Sequence, residues 1–274
     1  MADATRSRPP DESSPRVHRF ASPQAQGVRR CSTVVHKFRV LSRASTRGAQ
    51  MNRTRTARHT QAERTRASLL WAAATVIGRR GYEATSLADI TAVLGKPKTA
   101  LRYHFDAKAE IARALLDAEY RRWEQMHELV DDTNRTGLAV LVTTLRTFLA
   151  DSGSGPYQRA AISLLLDAPL IDADLPAPPF TAQQLLSEYL LEAREDGEVP
   201  ADADISSAVN GIIDATLGVV LRYRLEPDVD LEERAEPLWS WSLMGLGVPR
   251  PHALLEGIRA IPLPPNEIET ARLS

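Results

Sequence analysis

Apolar residues recur three and four apart over much of this chain. Between residues 61 and 80, Leu69, Leu70, Ala73, Ala74, Val76 and Ile77 share one helical face, and Gly81 ends the run. Leu87, Ile90 and Leu94 fall at i, i+3 and i+7. Ser86 and Asp89 before and within that run offer a hydroxyl and a carboxylate to the free N–H groups of a helix start. Gly95 leaves the helix through a left-handed turn, and Pro97 opens a second short helix around Ala100 and Leu101. Asp106 reads as the N-cap of a long helix to about Asp131, with Ile111, Leu115, Ala118, Met126, Leu129 and Val130 inside. Further helices are expected at about 137–151, 157–168, 180–196, 203–224 and 231–246, separated by Ser152–Pro156 and Pro169–Pro179. No alternating strand pattern stands out. The fold class expected is all-α, with about nine helices.

The segment 203–224 carries Ile205, Val209, Ile212, Ile213, Thr216, Leu217, Val219, Val220 and Leu221 around most of its circumference. A helix apolar on nearly all sides is expected to be buried on nearly all sides. In a small domain that points to a subunit interface, completed by Leu238, Trp239, Trp241, Leu243 and Met244; an internal core helix has the same pattern.

Charge divides the chain. Its net value of −1 hides ten Lys/Arg against three Asp/Glu in residues 1–50, eleven against four in 51–108, and thirteen against twenty-eight in 109–274. A basic block before an acidic one suggests that only the first meets a polyanion. Residues 1–50 are rich in Arg, Ser, Pro and Ala and read as a disordered basic extension, with Met51 as an alternative start. Cys31 is the only cysteine, so no internal disulfide is possible, which fits a reducing cytoplasm. No apolar run reads as a membrane span, and no membrane partner is expected.

The chemistry sits on the second short helix. Lys96, Lys98, Thr99, Arg102, Tyr103, His104 and Lys108 surround a helix N-terminus that follows a glycine turn. Such a terminus presents free N–H groups and a positive dipole end to phosphates. Lys96 and Lys98 flank it; Tyr103, His104 and Lys108 are placed for the DNA backbone, and Thr99 and Arg102 for base edges. Each alone is an ordinary surface residue. As a set they form the helix-turn-helix arrangement that enters a major groove.

The same residues carry a resemblance. Thr85, Leu87, Asp89, Ile90, Gly95, Lys98, Ala100, Leu101, Tyr103, His104, Phe105 and Lys108 have the spacing of the TetR family of bacterial transcriptional repressors. Arg64-Thr-Arg-Ala and Gly81-Tyr82 upstream fit it as well, so the likeness spans about residues 60–110. The remainder resembles the γ-butyrolactone autoregulator receptors of Streptomyces-type bacteria, through Ala160-Ala-Ile-Ser-Leu-Leu-Leu, Pro179-Phe180-Thr181 and Glu236-Pro-Leu-Trp-Ser-Trp. The resemblance implies a homodimer made by the last two helices, with Val209, Ile213, Val220 and Trp239 as interface residues. It also implies a small-molecule effector. Many relatives have Tyr where this chain has Arg102 and Thr where it has Pro97. The receptors generally carry a pocket tryptophan where this chain has Gln183.

The expected domains are a basic extension (1–58), a DNA-binding domain (59–108), a helical regulatory and dimerisation domain (109–250) and a tail (251–274). Candidate pocket residues are Trp123, Met126, Leu145, Phe148, Ile162, Leu166 and Leu185, all equally readable as core, together with Gln183. No Gly-x-Ser-x-Gly, His-Glu-x-x-His, Walker loop or Cys-x-x-Cys occurs. His127 with Asp131 reads as a solvated surface pair. No enzyme, metal or cofactor is expected. The partners expected are double-stranded operator DNA, a small effector and a second copy. Two alternatives stand beside this: a pseudo-receptor without lactone binding, and a helical interaction module that binds nucleic acid without sequence choice.

Overall fold

The computed structural model describes residues 53–133, 135–226 and 229–273, with residues 53–59, 98, 224, 225 and 273 described by backbone alone. The expectations for residues 1–50, Cys31 and Met51 lie outside the described residues. Among those described, every regular element is a helix: α1 (Arg53–Arg80), α2 (Leu87–Val93), α3 (Lys98–Arg102), α4 (Lys108–Asp131), α5 (Gly137–Ser152), α6 (Pro156–Asp167), α7 (Ala182–Glu195), α8 (Ile205–Leu225), α9 (Leu231–Gly245), α10 (Pro251–Gly257) and α11 (Glu267–Leu273). A short 3-10 turn (Ala168–Leu170) follows α6.

Three differences from the sequence reading are local. α1 starts at Arg53, eight residues before the expected helix start and inside the segment 1–58 read as a disordered extension. α4 starts one residue later than expected, with Ala107 as its N-cap. Glu110 reaches back instead and accepts from the Asp106 N–H at 2.8 Å, doing the capping from inside the helix. Residues 251–274, read as a tail, hold two further helices that pack: Leu255 and Ile268 are buried.

Two apolar clusters organise the chain. The first joins Leu69, Leu70, Ala73 and Ile77 of α1 to Ile90, Leu101, Phe105, Ile111 and Leu115. It draws in Tyr157, Ala160 and Leu164 of α6 and Ile268 of α11. α1 and α6 cross closely at Gly78, where a Cβ would lie 3.1 Å from the Pro156 carbonyl oxygen, so any larger residue would make α6 give by a few tenths of an ångström. The second cluster gathers Val130, Leu141, Leu145, Leu149, Leu186, Leu190, Val209, Ile212, Val220, Trp239 and Leu243 from α4, α5, α7, α8 and α9.

α5 is buried on most sides. Its hydroxyls turn inward on its own backbone: Thr143, Thr144, Thr147 and Ser152 each donate to the carbonyl four residues earlier. Arg146 on the same helix is 2 % exposed. It is held by Glu232, by Glu236 at 3.0 Å and by the Leu255 carbonyl at 2.8 Å.

Within one protomer, α8 is buried along one side only. Val209, Ile212, Val219 and Val220 are buried, and Thr216 accepts the Trp239 indole N–H at 2.9 Å. Leu217 and Leu221 are nearly half exposed. Ile205–Tyr223 is also long and apolar enough to cross a membrane by length and composition, with mean hydropathy 1.3, contrary to the reading above. A third of that window lies inside the fold.

Candidate DNA interface and regulatory core

The α2–turn–α3 unit is built by local bonds. Ser86 Oγ accepts from the Asp89 N–H at 3.2 Å, and Asp89 accepts from the Ser86 N–H at 2.9 Å. The bonds from Ser86 hold the Asp89 carboxyl below its ordinary range. Gly95 takes φ +61°, the left-handed turn that leads the chain into α3. Leu101 is fully buried, and Phe105 is nearly so beneath the Arg66 guanidinium, 4.8 Å from its ring. With these two anchored inward, Lys96, Thr99 and Arg102 lie exposed, and Tyr103 is 84 % exposed.

Two residues expected on this face behave differently. Lys108 Nζ donates to the Tyr82 carbonyl at 2.9 Å and lies 4.0 Å over the Tyr82 ring. Its ammonium fastens the loop between α1 and α2, sharing the Tyr82 carbonyl with the Thr85 N–H. His104 is half-buried and meets Tyr103 edge-on, with centroids 5.1 Å apart. Burial, then the nearby Arg66 and Lys96, push its pKa down, so it is neutral at pH 7. Lys98 begins α3.

In the acidic half, the sequence candidates divide. Met126, Leu145, Ile162 and Leu185 are buried in the second cluster, and Phe148 packs against it. Leu166 is 39 % exposed, and Gln183 is exposed on the first turn of α7. Gln184, its neighbour, caps that helix with Thr181. Gln183 therefore does not stand as a lid over apolar side chains.

Trp123 is the centre of a different group. Its ring stacks toward Phe180 at 6.4 Å and meets Tyr120 at 5.3 Å. His127 lies 5.5 Å from Phe180, and its Nδ1 is 3.3 Å from the Tyr189 hydroxyl. The Asp131 carboxylate is 3.7 Å from the other ring nitrogen. The surface-pair reading of His127 is thus corrected: an aromatic ring and a phenol from later in the chain cover it.

The Trp123 indole N–H donates to Glu119 at 2.9 Å. Glu119 is 4 % exposed and its second oxygen has no hydrogen-bond partner. Burial, then repulsion from Asp151, raise its pKa to about 8, against the opposing pull of Trp123 and Arg122. Arg122 is committed elsewhere, gripping both Asp151 oxygens from Nε at 2.8–2.9 Å and donating to the Pro264 carbonyl at 2.8 Å. At pH 7 the Glu119 carboxyl is therefore largely neutral, and a neutral acid has an O–H to give.

Residues 69–115, from the second half of α1 to the first turns of α4, match the model of the bacterial regulatory proteins of the tetR family. The probable HTH-type transcriptional regulator ArpR of Pseudomonas putida is 25 % identical over 180 residues, 62 % of this chain and 86 % of that protein. The TetR family protein CprB of Streptomyces coelicolor, solved with its biological operator sequence, is 29 % identical with a TM-score of 0.60. That match covers 72 % of this chain and 95 % of CprB. A γ-butyrolactone receptor described as ArpA-like is 28 % identical, with a TM-score of 0.61, over 72 % of this chain and 95 % of the receptor.

The helix-turn-helix segment is that of the tetR family. The chain is a TetR-type transcriptional regulator, helical in all its described regular elements, with the helix-turn-helix followed by a larger helical part. Sequence reasoning missed three residues of the regulator's aromatic group: Glu119, Phe180 and Tyr189. A carboxylate one turn before Trp123, on the mostly apolar inner side of α4, was the available signal for the first. Phe180 stood in the Pro-Phe-Thr stretch but had no partner assigned, and Tyr189 had no local signal.

Proposed function

We propose that this regulator is a homodimeric repressor whose α3 reads an operator and whose regulatory core lets go of it when a small molecule binds. Residues 59–108 act as the DNA-binding domain and 109–250 as the regulatory and dimerisation domain. The observation that carries the reading is the polarity of α3: Leu101 is fully buried while Thr99 and Arg102 stand exposed beside Tyr103. Arg102 reads a guanine edge, and Lys96, Lys98 and the Tyr103 hydroxyl hold phosphates. The role is regulatory and not catalytic, and it is exercised in the cytoplasm where the chromosome lies.

Dimerisation uses the uncovered side of α8 and α9. Leu217, Leu221, Trp241 and Met244 are between 44 % and 63 % exposed. Val209, Val220 and Trp239, named from the sequence, are buried in the protomer itself and support that face from behind. Ile213 is partly buried.

The effector chemistry follows from the group around Trp123. Flat aromatic faces suit an apolar body, and the neutral Glu119 carboxyl supplies one donor for a carbonyl oxygen. A neutral, carbonyl-bearing molecule of the γ-butyrolactone kind has that form. By linkage it shifts DNA affinity only as far as it distinguishes the two arrangements of the protein.

The test is selection of bound duplexes from a random pool by the full-length protein. The expected product is an inverted repeat whose half-site centres lie about 34–36 Å apart or a multiple of that. Release of the selected duplex is then followed against added γ-butyrolactone autoregulator, for the unmodified protein and for Glu119→Leu, which should need more. Absence of any enriched sequence refutes the operator reading; equal responses of the two proteins refute the effector assignment.

A further inference from the structure

Residues 258–273 join two parts of the fold that already meet elsewhere. At one end, Ile258 is buried among the regulatory helices and the Ile261 N–H donates to Thr147 of α5 at 3.0 Å. Leu263 packs on the same core, and the Pro264 carbonyl accepts from Arg122. At the other end, Ile268 of α11 is 4 % exposed in the cluster built mainly by α1, α3, α4 and α6. Glu267 pairs with Arg121, and the Arg272 guanidinium lies 4.0 Å over the Trp71 ring of α1. Between these anchors the chain reads Pro262-Leu-Pro-Pro265, and Asn266 caps α11 by accepting from the Glu269 N–H at 2.9 Å. Proline fixes φ, so this link neither lengthens nor folds easily.

We infer that this segment is a strap that sets the half-site spacing the regulator accepts, with Ile268 and Arg272 as positioning residues for operator choice. The mechanical reason is simple. The unit of α1, α2 and α3 is tied to the regulatory helices through α4 and through the contact of α1 with α6 at Gly78. Tied along one side, such a unit pivots; tied again across α11, it does not. In a dimer, the pivot angle decides how far apart the two α3 helices stand. One base pair of added spacer moves a half-site by about 3.4 Å and turns it by about 35°. A unit held at two places rejects that displacement, whereas a freed unit follows it.

The joint is one that opens without dismantling the core. α11 has only seven residues, and an open groove of about 400 Å³ runs beside its contact, lined by Arg66, Asp117, Arg121 and Glu267 among others. Beside Ile268, its described attachments include the Glu267–Arg121 pair and Arg272 over Trp71.

This inference rests on the DNA-binding reading above, and the experiment separates the two. Full-length protein is measured on its selected operator and on versions with one base pair added to or removed from the spacer. The unmodified protein should lose about tenfold or more on both altered spacers, a cost of the size given by one wrong base pair. Ile268→Asp places a carboxylate in a site that is 4 % exposed, and faster amide exchange at 267–273 reports that α11 has left. The freed protein should lose about threefold or less on the altered spacers, while substitutions within a half-site cost it as much as before. Arg272→Ala should go part of the way and Arg272→Lys, which keeps a cation over Trp71, should restore the preference. If Ile268→Asp does not fold, a chain ending at Pro265 replaces it. A freed protein that still rejects altered spacers overturns the strap. An unmodified protein that selects no operator overturns the DNA-binding reading instead.

Discussion

Glu119→Gln should make this protein more stable at neutral pH, although it removes a buried hydrogen-bonded carboxyl. The folded chain holds that carboxyl at a pKa of about 8, against 4.5 for the free side chain. Between those two values the folded state keeps a proton that the unfolded state gives up. Stability therefore falls as pH rises through the window, by about 1.4 kcal/mol per pH unit, and levels off above pH 8. The window is 3.5 units wide from the two values, about 5 kcal/mol in all. Glutamine accepts the Trp123 indole N–H equally well and never ionises. Its advantage should be under about 1 kcal/mol at pH 5 and about 3 kcal/mol at pH 7. In a domain of this size the latter raises Tm by roughly 6–12 °C. Thermal unfolding of both proteins at pH 5, 6, 7 and 8 measures it, with protein concentration fixed so that dimerisation is held constant. Parallel curves, with no divergence as pH rises, would refute the buried neutral acid. A variant less stable at every pH would show that Arg122 keeps Glu119 ionised.

Arg102→Ala should relax the preference at a single base pair by about 1–3 kcal/mol while leaving the others intact, as read by binding to a panel of single-substituted operators. Gly78→Val should force α1 away from the Pro156 carbonyl and cost about 1–3 kcal/mol in urea unfolding; an unchanged midpoint would mean that α6 yields freely. Leu217→Glu with Trp241→Glu should convert a dimer to a monomer in sedimentation, while Leu217→Ala alone weakens it; a dimer that survives both charges places the interface elsewhere.

The helix-turn-helix was legible because its determinants are neighbours in sequence. Ser86 and Asp89 cap each other across three residues, and the Gly95 turn lies directly between two short helices. The same locality explains the errors. Lys108 reads as a cation free for DNA until the fold brings it to Tyr82, twenty-six residues earlier. His127 and Asp131 form a visible i, i+4 pair, but Phe180 and Tyr189, which cover the histidine, arrive from a separate helix and the loop before it. On α8 the composition announces apolar contact on every side without saying which side another helix of the same protomer takes. Val209 and Val220 went inward and Leu217 and Leu221 stayed out, a choice made by where α5, α7 and α9 pack. The strap had no periodic signal at all. Its anchor is one isoleucine in a seven-residue polar helix, and its stiffness comes from prolines that read as a tail.

The four tryptophans of this chain fall in four different surroundings. Trp71 lies under Arg272 at the proposed strap, Trp123 beside Phe180 in the aromatic group, Trp239 fully enclosed against Thr216, and Trp241 63 % exposed on the face proposed for the second copy. Indole emission shifts to the blue in apolar surroundings and to the red in water, so the molecule carries an optical reporter for each event. With three of the four replaced by phenylalanine, strap release, effector entry, global unfolding and subunit association become separately visible colours of one protein, resolvable in time within a single stopped-flow experiment.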